Sequence, residues 1–112
     1  MSQSAKRGMG MMTLAALWLL CTTALADAPA TSVRVLIKDF MFSPMEVKTT
    51  VGVPVTWVNQ DDEPHTVVSD TGLFRSGALD TGEGYTFTFD KPGTYHVVCS
   101  IHPKMTATII VE

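Results

Sequence analysis

Seven residues near the carboxyl end of the chain, 99–105, carry three side chains that bind soft metals. They read Cys-Ser-Ile-His-Pro-Lys-Met and offer a sulfur from Cys99, an imidazole from His102 and a thioether from Met105. A second imidazole, that of His65, lies far upstream and directly follows Pro64. Two histidines, one cysteine and a weak axial methionine form the ligand set of blue copper sites. The sequence therefore predicts a copper site formed by His65, Cys99, His102 and Met105.

The specificity of this motif comes from the whole set, because Cys-x2-His alone occurs by chance in surface loops. The alternative is a structural cysteine, an exposed histidine and a core methionine that happen to be neighbours. That alternative leaves the close spacing of three soft or borderline donors unexplained, so we favour the metal site.

The amino-terminal segment, residues 1–26, has the pattern of a secretory signal peptide. Lys6 and Arg7 are followed by an uncharged, largely apolar run, and Ala24-Leu25-Ala26 offers small residues at the cleavage site. An uncleaved amino-terminal anchor is the alternative, although the run is barely long enough to span a bilayer. We expect cleavage, and therefore export to the periplasm without stable membrane insertion.

Cleavage changes both the cysteine count and the charge of the 112-residue chain. Cys21 leaves with the signal peptide, so Cys99 remains without a disulfide partner in an oxidising compartment, which metal ligation explains. Loss of Lys6 and Arg7 leaves six basic against eleven acidic residues, a formal net charge of −5. Such an acidic domain lacks the basic surface that nucleic-acid binding requires.

After a short leader, residues 27–32, the remaining sequence alternates apolar and polar residues with the period of β-strands. The strand-like runs carry apolar side chains on one face: Val33, Val35 and Ile37; Met45, Val47, Thr49 and Val51; Val53, Val55 and Trp57; Tyr85, Phe87 and Phe89; Tyr95, Val97 and Cys99; Met105, Ala107, Ile109 and Val111. Residues 65–69 suggest a further short strand, and 70–81 an irregular crossing segment. About 7–8 strands predict an all-β, Greek-key β-sandwich over residues 33–112.

The same alternation orients the candidate ligands. Cys99 shares the inward face of Tyr95 and Val97, whereas His96 lies on the opposite face and is expected to face solvent. Met105 begins the inward set of the last strand. Three donors then come from one strand–loop–strand corner, and His65 must come from a neighbouring segment.

The chain resembles the cupredoxins, in particular those of the amicyanin and plastocyanin type. The resemblance covers residues 33–112 and is carried by Pro64-His65, by Gly93-Thr94-Tyr95 and by the residues 99–105, whose two-residue gap between histidine and methionine is the amicyanin spacing. It implies one copper ion per chain, with His65, Cys99 and His102 in a trigonal plane and Met105 as the axial ligand. Many cupredoxins have asparagine after the first ligand histidine, where it joins the two ligand loops. Here that residue is Thr66, so the redox potential is expected to differ.

The resemblance implies a small soluble electron carrier that cycles between Cu(II) and Cu(I). We expect a monomer, not an enzyme, that meets redox proteins such as a cytochrome c or a dehydrogenase transiently. A periplasmic copper-binding or delivery protein would use the same ligands, and a metal-free adhesion-like sandwich would use none. The acidic run Asp61-Asp62-Glu63 is expected to be a solvated loop, and docking of a basic partner is its alternative role.

Overall fold

The computed structural model describes residues 31–112 and the single residue Ala15. The predicted signal peptide, 1–26, lies outside the described residues apart from Ala15, and of the leader only Thr31 and Ser32 are described. Both segments therefore remain predictions. In the part of the chain that is described, no helix has the length and apolar character needed to cross a membrane.

Residues 31–112 form two four-stranded β-sheets packed face to face. One sheet has the order β2-β1-β4-β6 and the other β3-β8-β7-β5, so several neighbours are not consecutive in sequence and the chain crosses between the sheets. The strands are β1 (Val33–Lys38), β2 (Met41–Ser43), β3 (Glu46–Thr49), β4 (Pro54–Asn59), β5 (Val68–Ser69), β6 (Gly84–Thr88), β7 (Gly93–Val98) and β8 (Thr106–Val111). The predicted all-β sandwich of about 7–8 strands is confirmed.

The core between the sheets includes many of the side chains that the period-two pattern placed on one face. Alternate residues of β1 and β4 are fully buried, among them Ile37 and Trp57, and Trp57 contacts the aromatic ring of Phe74 at 5.7 Å between centroids. Burial of such large apolar side chains supplies most of the stabilisation of a small domain. The remaining buried apolar residues include Val35, Phe42, Val47, Val55, Val67, Leu79, Phe89, Val97, Ala107, Ile109 and Val111.

Three details of the strand prediction are wrong. Met45 and Val51 are exposed, because β3 spans only Glu46–Thr49 and both residues lie outside it. The predicted strand 65–69 contains only Val68–Ser69 as a ladder strand, and His65 forms an isolated bridge to Leu79. The three-residue β2 was not predicted, since so short a segment has no measurable period.

The arrangement of β7 and β8 positions the ligand loop. These strands are antiparallel, and their last pair before the loop is Val98 with Thr106. The loop 99–105 therefore lies at one end of the sandwich. Val68 of β5 pairs with Val98 as well, which brings the segment that follows His65 to the same end.

Candidate metal centre

Cys99 lies immediately after β7, on the inward face that the alternation predicted. Its side chain is fully buried, and it is the free cysteine of the described residues. A buried thiol with no disulfide partner needs either an apolar packing role or a metal. Its neighbours include polar groups that lie within 3.8 Å of the sulfur.

The ring of His65 is the first of these neighbours. It is fully buried, and its Nδ1 lies 3.8 Å from the sulfur of Cys99. The other ring nitrogen, Nε2, lies 2.8 Å from Oδ2 of Asp61. Burial raises the pKa of Asp61, but the N–H groups of Phe40 and Asp39 and the ring of His65 lower it by more, so its pKa lies below the ordinary value.

An ionised Asp61 decides which nitrogen of His65 is free to bind a metal. A carboxylate accepts hydrogen bonds and donates none, so Nε2 of His65 carries the proton and donates it to Asp61. Nδ1 is then the unprotonated nitrogen, and it is the one that faces Cys99. A carboxylate behind a histidine ligand in this way fixes its tautomer and its ring orientation in metal sites.

Thr66 joins the two ligand segments. Its backbone N–H donates to the sulfur of Cys99 at 3.4 Å, and its hydroxyl lies 3.8 Å from the same atom. The hydroxyl also accepts the N–H of Ser100 at 2.8 Å and pairs with the Ser100 hydroxyl at 2.8 Å. Threonine thus makes the connection between loops that asparagine makes in many cupredoxins, with its hydroxyl in place of the amide.

The loop that carries His102 and Met105 is closed by two backbone hydrogen bonds. The N–H of Met105 donates to the carbonyl of His102 at 2.8 Å, and the N–H of Cys99 donates to the carbonyl of Met105 at 3.1 Å. Met105 is buried, whereas 31% of the His102 side chain is exposed. The rings of His65 and His102 lie 5.0 Å apart between centroids.

The exposed edge of His102 opens onto a shallow, mainly apolar depression of about 430 Å³. Its walls are Phe40, Ile101, Pro103, Lys104 and Met105. The carboxylate of Glu63 lies on the solvent side, 3.9 Å from Nε2 of His102, which is too long for a hydrogen bond.

The structure brings His65 and Cys99 into direct contact and places the His102 ring beside His65, with Met105 buried in the same loop. Within the described residues no group of three or more histidine, cysteine, aspartate or glutamate side chains is arranged to hold a metal by itself. The predicted set includes three side chains of these types, those of His65, Cys99 and His102, and they do not form such a group by themselves; its fourth donor, Met105, is a thioether. Soft copper accepts that donor, whereas harder metals do not.

Two expectations about neighbouring residues have different outcomes. His96 lies on the outer face of β7, exposed, with Nδ1 3.5 Å from the hydroxyl of Thr108, as the strand alternation predicted. Asp61 is buried rather than solvated, so the prediction of a solvated loop holds only for Asp62 and Glu63. Asp61 accepts hydrogen bonds from residues 21 and 22 positions away, and no local sequence signal announces such bonds.

The described residues form a β-sandwich with cysteine, histidine and methionine side chains at one end. Comparison with known proteins gives the family. The model of the cupredoxin-like domain matches residues 10–111. The chain therefore belongs to the cupredoxin-like family.

The relatives include amicyanins and plastocyanins, the types that the sequence resembles. Amicyanin-alpha of Methylorubrum extorquens is 34% identical over 94 residues, which cover 80% of this chain and 79% of the relative. Plastocyanin of Scenedesmus fuscus is 36% identical over 85 residues, covering 64% of this chain and 87% of the relative. The crystal structure of amicyanin from Paracoccus versutus superimposes with a TM-score of 0.69 at 35% identity, covering 78% of this chain and 87% of that one. Amicyanin has also been solved in a Cu(I) form. The predicted resemblance is confirmed, and copper as the cofactor is confirmed at the level of the family.

Proposed function

We propose that this protein is an exported electron carrier that holds one copper ion between His65, Cys99, His102 and Met105. When bound, the ion supplies a one-electron couple between Cu(II) and Cu(I). The observation that carries the proposal is the contact between Nδ1 of His65 and the sulfur of Cys99, with Asp61 at hydrogen-bond distance from the other ring nitrogen.

The chain's own residues provide what such a carrier needs. His65, Cys99 and Met105 are buried, so they exclude water and hold their donors in one arrangement. The N–H of Thr66 donates a hydrogen bond to the sulfur at 3.4 Å, and its hydroxyl lies 3.8 Å from the same atom. The partly exposed ring edge of His102, inside an apolar rim, offers a small contact area for a redox partner.

We propose a carrier rather than an enzyme because four protein donors leave no open metal position for a substrate. We propose a monomer that meets its partners transiently, since the exposed apolar rim around His102 is small. Partners such as a cytochrome c or a dehydrogenase fit this surface if they present an apolar edge around their own cofactor. Export to the periplasm rests on the predicted signal peptide.

The test is the visible spectrum of expressed residues 27–112 after addition of Cu(II). We expect a strong blue thiolate-to-copper band that is absent in Cys99→Ser and retained in His96→Ala, the matched control for a histidine on the outer face. A colourless protein, or a band that survives Cys99→Ser, would contradict the proposal. Voltammetry of the same sample separates the two uses of the site. Reversible cycling with retained metal supports a carrier, and ready copper loss without cycling supports delivery.

A further inference from the structure

The turn between β1 and β2 has an unusual sequence for its conformation. Asp39 and Phe40 connect the pair Lys38 and Met41, and both turn residues have positive φ, 53° and 57°. A two-residue hairpin turn of this kind favours asparagine and glycine, because side chains with a β-carbon are strained there. A phenylalanine at this position therefore needs support from elsewhere in the fold.

Asp61 provides that support with the same carboxylate that holds His65. Its Oδ1 accepts the N–H of Asp39 at 2.6 Å, and its Oδ2 accepts the N–H of Phe40 at 2.9 Å and faces Nε2 of His65 at 2.8 Å. Asp61 is itself fixed, since its N–H donates to the buried side chain of Asn59 at 2.9 Å. One rigid carboxylate thus joins the hairpin turn to the buried histidine.

This hairpin turn places the ring of Phe40 against both histidines. Phe40 contacts His65 at 5.3 Å and His102 at 5.0 Å between ring centroids, with interplanar angles of 87° and 89°. Edge-to-face arrangements at this separation are attractive beyond the burial of area. Phe40 is 45% exposed, so burial alone does not account for its position.

We propose that Asp61 and Phe40 form one positioning unit for both imidazoles, in which Asp61 orients His65 directly and orients His102 through the turn and the Phe40 ring. The inference rests on the proposed function, because it assigns these rings as copper ligands. His102 stands on an exposed loop and lacks a hydrogen-bonding carboxylate like that of His65. The Phe40 ring, together with the His65 ring on which it also packs, is then a contact that limits its rotation.

The test compares copper loss to a chelator, after loading with the metal alone, between the wild type and five variants. Phe40→Leu is expected to release copper about fivefold faster, within the range of one edge-to-face contact, and Asp61→Ala faster still, because it also removes the hydrogen bond to His65. The double variant is expected to be no faster than Asp61→Ala, because that change already removes the support of the Phe40 ring. Phe40→Tyr keeps the ring and should behave as wild type, as should Asp62→Asn, which alters the exposed neighbouring carboxylate.

A second readout is independent of copper. In the metal-free chain, side-chain NMR of His102 should show greater ring mobility in both Phe40→Leu and Asp61→Ala. If Asp61→Ala does not fold, Phe40→Leu, which changes a half-exposed residue, still decides the question. Unchanged copper loss and unchanged His102 mobility in Phe40→Leu, or additive effects in the double variant, would overturn the inference. If the wild type takes up no copper, the proposed function fails, while the NMR comparison still decides whether the unit positions His102.

Discussion

The two histidines of the candidate centre stand in opposite surroundings. His65 is completely buried, has a hydrogen bond to Asp61 on one nitrogen and faces Cys99 with the other. The side chain of His102 is 31% exposed and opens onto an apolar depression. Under the proposed function, the buried histidine would retain the metal and the accessible one would serve the exchange of electrons.

Burial explains why the two need different support. A buried polar ring without partners costs stability, so His65 requires both of its nitrogens to be satisfied. An exposed ring can use water, and His102 needs only contacts that restrict its orientation. Its nearest carboxylate, Glu63, is exposed and lies 3.9 Å away, so solvent and salt weaken that interaction.

The largest expected effect is a difference between the two histidines in what each contributes to the free energy of unfolding. In the metal-free protein His65→Ala removes a buried ring and leaves Asp61 without one of its donors, which should cost about 3 kcal/mol. His102→Ala should cost less than about 1 kcal/mol, because its site is open to solvent. Urea unfolding of both variants checks the difference. Equal losses of unfolding free energy in the two variants would show that the difference in burial between the two histidines does not affect stability.

The next effect concerns the approach of another protein molecule to His102 across the apolar depression beside it. Ile101→Asp places a negative charge where two copies would meet and should slow electron self-exchange about tenfold. Leu73→Asp is the matched control, since Leu73 is 49% exposed against 47% for Ile101 and does not line the depression. NMR line broadening in mixtures of oxidised and reduced protein measures the rate. If Leu73→Asp slows self-exchange as much as Ile101→Asp does, electrons do not pass through the surface around His102.

A smaller effect is expected at the connection between the ligand segments. Thr66→Val removes the hydroxyl that accepts the N–H of Ser100 and should cost about 1 kcal/mol. It should also lower the reduction potential, because a group directed at the sulfur of Cys99 and favouring its negative charge is lost. Thr86→Val, at an exposed cross-strand hydroxyl pair with Thr56, should leave both quantities unchanged. Voltammetry measures the potential and urea unfolding the stability of the two variants. An unchanged potential in Thr66→Val would show that Thr66 does not influence the potential of the site.

The smallest effect belongs to the exposed carboxylate beside His102. Glu63→Gln should raise the rate of oxidation by a small anionic oxidant about twofold at low salt, and the gain should vanish at high salt. Asp90→Asn removes an equal charge near the Lys91-Pro92-Gly93 turn, at the end of β7 away from Cys99, and should change the rate less. Stopped-flow kinetics at two ionic strengths distinguishes them. Equal gains in both variants would indicate that only the net charge matters.

The sequence by itself determined the strand pattern and the identity of the donors. Period-two alternation is a local property, so it predicted that Cys99 points inward and that His96 points outward. The spacing of residues 99–105 is likewise local, and it predicted the chemistry of the site before any fold was known. Even Thr66 was recognisable from its position after His65.

Only the tertiary structure decided how these donors are held. Asp61 reads as part of a solvated acidic run, yet it is buried and joined to Asp39 and Phe40 across 22 and 21 residues. The bond between Thr66 and Ser100 spans 34 residues, and the contacts of Phe40 with the two histidines arise from a turn without glycine or asparagine. Such interactions depend on which segments the two sheets bring to the same end of the sandwich. A local sequence pattern does not contain that information, because hydrogen bonds and ring contacts between distant segments form only after the sheets have packed.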